Sequence, residues 1–468
     1  MGENYKRREE QKELIRKFEE QLKNKSYGFY DIETYEEIID FYLDHGNYKK
    51  ALRTCNIAIE QYPFSTEIML DKAQVLSNLE SFEEALEILE KAEQFQPNDY
   101  EILLLKGHIF SMQSTFDDAI VAFEKALPMV EDKDECYYNI GLAYQNKSDY
   151  KSAIYHYKKA IEANINHESA LYELAYCLDV TGELESSLAY YQQFIDQDPY
   201  SYFAWYNLGI VFNKLEKYQD AIEAYEFAVV IEEDFASAYY NMGNSYMHLK
   251  KYTKALDAYR KTLDYEGPSA EVYCSMGSTY QKLNQLELGI KYFRKAIKLD
   301  KMYGEAWFGL GLCLCKQERF FEAVHFLSKA VKFAEQNAEY WQLLAEAEFK
   351  TGNVVSSLDA YQEAAVLNPE SAETWLNWSF IYYEQGDYTR AVNIVNTGIE
   401  EMPVAAELYY RATAYLISDG KYKEAFNLLE QALVLDFDKH EDLLEFFPKL
   451  ETQKALFKII DQYRQSNL

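Results

Sequence analysis

The sequence predicts an all-α chain: a linear array of about twelve helix pairs closed by helical caps. Three observations carry this prediction. Of 468 residues only 18 are Gly and 8 are Pro, whereas 43 are Tyr and aromatics reach 16%. That is much packing material and few of the residues that break helices or shape tight turns. The second observation is a period of 34 residues. Gly107, Gly141, Gly209, Gly243, Gly277 and Gly311 lie at multiples of it, with Ala175 and Ala345 in the same phase. The third is the i, i+3, i+4, i+7 spacing of apolar residues inside each period, the mark of amphipathic helices. With 48% hydrophobic and 27% charged residues, the chain has the makings of a packed core.

The elements follow in order. Residues 3–24 read as one charged helix with Leu14, Ile15, Phe18 and Leu22 on one face. Within residues 1–31 it is expected to cap the array, followed by the loop leading into the first repeat. Repeats begin at Ile32, Thr66, Tyr100, Asp134, Glu168, Tyr202, Ala236, Ala270, Gly304, Ala338, Ala372 and Ala406, so the array occupies residues 32–440. In the sixth repeat the two helices are expected at about Tyr202–Lys214 and Tyr218–Val230. A small-residue column from Ala51 and Ala85 to Ser357 and Ala391 lets helices approach closely. Gly46, Gly182, Gly352 and Gly386 fall after first helices, where a C-terminal cap needs positive φ. Pro63, Pro97, Pro199, Pro369 and Pro403 share one phase, and Trp205, Trp307, Trp341 and Trp375 share another. The Ser418-Asp419-Gly420 turn of the twelfth repeat reads as carrying one extra residue. Helices at Glu441–Phe447 and Glu451–Arg464, separated by Pro448, are expected to cap the far end within residues 441–468. Caps are needed because a terminal helix pair otherwise exposes its apolar face.

Aromatic, Leu or Met, Gly or Ala, aromatic, Ala and Pro in these phases resemble the tetratricopeptide repeat (TPR). The resemblance covers residues 32 to about 440. The Tyr-rich acidic opening at Tyr27–Gly46, followed by repeats alone, is similar to TPR-only proteins of bacteria. The resemblance implies a right-handed α-solenoid superhelix whose first helices line a concave groove. It also implies that the second, fifth, sixth, ninth, twelfth and thirteenth positions of each repeat face inward.

On that basis the fifth position places Tyr138, Tyr172, Tyr206 and Tyr240 on the groove in four successive repeats, with Tyr176 and Phe203 beside them. Tyr offers an apolar face and a polar tip at low entropic cost, although packing between repeats also uses it. The sixth position holds Asn139, Asn207, Asn241 and Asn377, and Asn244 occupies a ninth position. An amide both donates and accepts, so it can hold a peptide backbone of any sequence. Glu173 and Ser275 interrupt this column. A carboxylate clamp of the chaperone-adaptor kind needs Lys at the fifth and Asn at the ninth position of one repeat. Asn244 instead shares its repeat with Tyr240, so that clamp is not expected.

The net charge of −31 disfavours nucleic acids and anionic membrane surfaces, which require many cations. Residues 132–303 carry 18 basic and 25 acidic groups and are the least acidic part of the array per residue. Acidic flanks would speed the approach of a basic partner. No apolar run reaches the length of a membrane span, and Met1–Lys25 is charged throughout, so a cytoplasmic location is expected. The six cysteines suggest reduced buried thiols rather than a disulfide framework. Seven scattered histidines form no metal-ligand spacing, and Cys313 and Cys315, two apart on a helix, point to different faces. Gly309-x-Gly311 lies inside a helix, not after a strand, so it is not a dinucleotide loop. Catalysis and cofactors are therefore not expected. The sequence points to a non-enzymatic scaffold or adaptor that binds a peptide segment of a protein partner in the groove. The alternative is a structural subunit that contacts partners through its outer face or end caps.

Overall fold

A computed structural model describes residues 2–24, 28–446 and 450–467. Among the described residues all regular secondary structure is helical. The chain divides into two compact units, Met1–Glu233 and Asp234–Leu468.

The first unit opens with α1 (Gly2–Asn24). The pairs that follow are α2 (Ile32–Asp44) with α3 (Tyr48–Gln61), α4 (Thr66–Asn78) with α5 (Phe82–Phe95), and α6 (Tyr100–Met112) with α7 (Phe116–Ala126). After them come α8 (Lys133–Asn146) with α9 (Tyr150–Ala163), α10 (Glu168–Val180) with α11 (Ser187–Gln197), and α12 (Tyr202–Lys214) with α13 (Tyr218–Ile231). First helices thus begin at the expected residues, apart from a start at Lys133 in the fourth repeat. Side-chain oxygens of Asp31, Ser65, Asp99 and Ser201 accept from the first free N–H groups of α2, α4, α6 and α12, which fixes those starts. α1 buries Ile15, Phe18 and Leu22 against Tyr35, Ile38 and Tyr42 of the first pair. Glu19 of α1 also accepts from Lys50 Nζ at 2.5 Å. Lys25, Ser26 and Tyr27, the last of which opens the Tyr-rich segment, lie outside the described residues.

The second unit contains α14 (Ala236–His248) with α15 (Tyr252–Glu266), α16 (Ala270–Lys282) with α17 (Leu286–Leu299), and α18 (Gly304–Lys316) with α19 (Phe320–Phe333). It continues with α20 (Ala338–Lys350) and α21 (Val354–Leu367), α22 (Ala372–Glu384) and α23 (Tyr388–Glu401), and α24 (Ala406–Ser418) and α25 (Tyr422–Leu435). α26 (His440–Leu444) and α27 (Leu450–Asn467) end it. α24 and α25 begin 34 residues after α22 and α23. The expected extra residue at Ser418–Gly420 is therefore absent, because Gly420 takes the phase of Gly386. Leu443, Leu456 and Ile460 from the last two helices join the core of α24 and α25. Phe447 and Pro448, the expected end of one helix and the break after it, lie outside the described residues.

Two columns read from sequence now have physical reasons. In the sixth repeat a Cβ on Gly209 would stand 2.4 Å from Cε1 of the buried Tyr225 ring. Phe123, Tyr157, Tyr259, Phe293 and Leu327 fill the same space over Gly107, Gly141, Gly243, Gly277 and Gly311. The tryptophan column ties four repeats to the loops before them. Trp205, Trp307, Trp341 and Trp375 donate Nε1–H to the carbonyls of Pro199, Lys301, Glu335 and Pro369, at 2.8–3.0 Å. Tyr409 continues the column with its hydroxyl on Pro403 O at 3.0 Å.

The turn between the helices of each pair holds one left-handed residue. Five are glycines: Gly182, Gly352, Gly386 and Gly420 at φ 76–86° and Gly46 at 65°. The other seven are Glu80, Ser114, Ser148, Glu216, Lys250, Asn284 and Glu318, at φ 57–61°. All twelve repeats therefore use one turn geometry, which the glycines alone revealed in only part.

Candidate functional site

The fifth repeat departs from its neighbours. Its second helix starts with a 3₁₀ turn at Leu184–Ser186 before α11. Ala175 stands in the glycine column and Ser187 in the alanine column. The tenth repeat carries the same exchange, Ala345 and Ser357, yet α21 is regular. The difference lies in the hydroxyl. Ser357 Oγ donates to Ala345 O of the first helix at 2.7 Å, whereas Ser187 Oγ donates to Leu184 O of its own opening turn at 2.7 Å.

Beside this irregularity a cleft opens between α10 and α12, with α11 as its floor. Tyr172 and Tyr176 form one wall, each more than two-fifths exposed. Leu184, Tyr191, Ile210 and Val211 complete an apolar lining. Lys214 stands in the lining too, paired with the Asp179 carboxylate. Asn207 lies in the same lining, is 3% exposed, and its Nδ2 has no hydrogen-bond partner. A buried amide N–H without an acceptor is costly, and Asn207 is also part of the lining of the cleft. Tyr191 donates to Leu171 O at 3.4 Å, and burial, then the neighbouring Tyr172, raises its phenol above the ordinary value, so it stays neutral.

Three of the sequence-derived site residues, Tyr172, Tyr176 and Asn207, thus meet in one cleft. The others lie outside this cleft. Tyr138 and Tyr206 lie against Tyr157 and Tyr225 of their own repeats, at ring separations of 5.9 Å. Asn139 Nδ2 donates to Glu135 O, one turn back in α8, at 2.9 Å. Phe203 is half-buried on α12. In the second unit Tyr240 lies 5.8 Å from Tyr259 and donates to Glu271 Oε1 at 2.8 Å. Asn244 Oδ1 accepts from Tyr259 Oη at 2.7 Å. Asn241 is half-buried on α14. The residues singled out from sequence did not include Leu184, Tyr191, Ile210, Val211 and Lys214, although Ile210 and Lys214 hold the ninth and thirteenth positions of the sixth repeat. The Ala175 and Ser187 exchanges marked the repeat, but their presence in the tenth repeat makes them an ambiguous signal.

A second cluster lies on the first helices of the opening repeats. Burial, then the carboxylates of Glu36, Asp40 and Glu67, pushes Asp71 up to about 7. Among the described residues no group of three or more His, Cys, Asp or Glu is placed to hold a metal ion, and no helix is long and apolar enough to cross a membrane. Five of the six free cysteines are buried, and Cys315 is partly exposed.

Comparison with known families bears on this geometry. Tetratricopeptide-repeat profiles match residues 138–202, 202–235, 236–266 and 270–301, and the N-terminal TPR repeats region of Psidin matches residues 37–162. Together they span more than half of the chain. The chain belongs to the tetratricopeptide-repeat family. No curated protein matches this TPR chain significantly over its sequence. Solved structures similar to it include the APC/C hetero-tetramer Cut9–Hcn1, at 14% identity over 84% of this chain and 89% of that one, with a TM-score of 0.41. YrrB, described as a TPR protein with an unusual peptide-binding site, is 21% identical over 39% and 95%, with a TM-score of 0.33. MamA is 28% identical over 37% and 94%, with a TM-score of 0.33.

Proposed function

We propose that the chain is a non-enzymatic protein-interaction scaffold that takes a peptide segment of a partner into the cleft between α10 and α12. The observation that carries this reading is the buried, unpartnered Nδ2 of Asn207 beside Tyr172 and Tyr176. A main-chain carbonyl of the peptide would accept from Asn207. An adjacent apolar side chain would lie on the tyrosine faces, displacing water from apolar surface. The acidic group of Glu36, Asp40, Glu67 and Asp71 supports a partner with basic residues, since a cation there would offset their mutual repulsion. Buried free thiols fit a reducing, cytosolic setting. In this reading α1 and the last two helices act as caps for residues 32–440, because their apolar residues cover the end pairs.

The test is a quantitative pull-down from native lysate, comparing the wild type with Tyr172→Ala/Tyr176→Ala and with Asn207→Leu. Asn207→Leu separates stability from binding. Removing an unsatisfied buried amide is expected to stabilise the fold by about 1 kcal/mol. The same change is expected to deplete the peptide partner. Recovery of the same partners at wild-type yield by both variants would exclude the cleft as the binding site.

A further inference from the structure

We propose that the second-helix face of repeats seven to nine docks an acidic polypeptide segment of a protein partner. In a chain of net charge −31, residues 236–303 hold 11 basic and 6 acidic residues, a local net of +5. On α17, Lys291, Arg294, Lys295 and Lys298 follow an i, i+3, i+4, i+7 spacing, which aligns them in one stripe. Lys291, Arg294 and Lys298 are exposed and Lys295 is half-buried. Among the described residues, none of the four lies within ion-pair distance of a carboxylate.

Of the four, Lys295 is held in place by ring faces, while Arg294 is also attracted by Glu322 of α19. Lys295 Nζ sits 4.8 Å from the ring centre of Tyr273 and 4.7 Å from that of Tyr292. Tyr292 is stacked on Tyr280. One repeat earlier Lys261 lies over Tyr265 at 5.6 Å, and one repeat later Lys329 lies over Trp307 at 4.4 Å. A ring face orders an ammonium group but leaves its charge available. The result is one ring-ordered lysine at the equivalent place in each of three successive repeats, Lys261 exposed and Lys295 and Lys329 half-buried.

The chemistry of the face favours discrete carboxylates over a polyphosphate. Glu287 and Asp300 bound the α17 stripe at its two ends. The stripe from Lys291 to Lys298 is about 10 Å long at the helical rise, which suits a few Asp or Glu side chains. The negative charge of the whole chain opposes the approach of a long uniform polyanion.

Fluorescence anisotropy on the full chain tests this, with a fluorescein-labelled Glu-rich peptide as probe and its Gln-for-Glu counterpart as control. The Glu peptide is expected to bind and the Gln peptide not. Lys291→Glu/Lys295→Glu/Lys298→Glu is expected to weaken binding at least about tenfold, and the corresponding Gln variant less. Lys49→Glu/Lys91→Glu/Lys125→Glu makes the same charge change elsewhere and is expected to leave affinity within about twofold. Circular dichroism checks that each variant is folded. Equal loss in the control variant would reduce the effect to net charge and overturn the proposal. So would a single-stranded oligonucleotide that binds as tightly and responds to the same substitutions. A wild type that sediments as an oligomer, dissociated by the α17 substitutions, would also overturn it by assigning the face to a second copy.

Discussion

Glu216 occupies a turn with φ 58°, a conformation in which its Cβ crowds the backbone. Gly420 holds the same place in the twelfth repeat without that strain. Glu216→Gly is therefore expected to stabilise the chain by about 0.5–1 kcal/mol, relief of αL strain outweighing the added freedom of the unfolded glycine. Urea melts of the two proteins check the sign. Gly209→Ala acts the other way. The new methyl would meet the Tyr225 ring at 2.4 Å, inside a packed helix pair, and a loss of about 2 kcal/mol is expected. Asp71 makes stability depend on pH. Its folded carboxyl titrates at about 7, above the ordinary value of 3.8. Between those values the folded chain retains a proton that the unfolded chain has released, so stability falls as pH rises through the window. Asp71→Asn is expected to flatten that decline and to be more stable than the wild type at pH 8 by about 1–2 kcal/mol. Urea melts on either side of the window measure it.

At the scale of the element, the helix pair was nearly all legible in sequence. Aromatic residues over glycine and the Trp column have fixed offsets because each pair meets the same neighbours, so packing writes the period into the chain. Turn chemistry was legible only where glycine marked it. Glu80, Ser114 and Lys250 adopt the same left-handed φ without any sign in their residue type, because the surrounding helices impose it. The cleft was legible in part. Tyr172, Tyr176 and Asn207 stood in the expected columns, but those columns also predicted Tyr138, Tyr206 and Asn139, whose groups are used within their own repeats. The available residues lie beside the 3₁₀ turn at Leu184–Ser186, a local feature with no counterpart in hydropathy. Removing α1 gives an element-scale test. Phe18 is 1% exposed against Tyr35 and Ile38, so a chain lacking residues 1–24 is expected to melt lower and to aggregate, as judged by thermal scanning and light scattering.

Within each of the two units, a pair makes its main outside contacts with the pairs that adjoin it in that unit. Stability in such an array is a sum of local terms, not a property of one common core. Damage should accordingly stay local. In hydrogen exchange, Gly209→Ala is expected to raise rates in α12, α13 and their immediate neighbours, while α24 and α25 exchange as in the wild type. Uniform acceleration along the chain would contradict this picture. The tryptophan column makes that locality visible to light. Each indole N–H of Trp205, Trp307, Trp341 and Trp375 is bonded to the loop carbonyl before its own repeat. Opening one such loop hands one indole to water and shifts its emission to longer wavelength. Variants that keep a single member of the column, with Phe at the other three and at Trp378, would turn the chain into a set of optical gauges, each reading one junction during unfolding or partner binding.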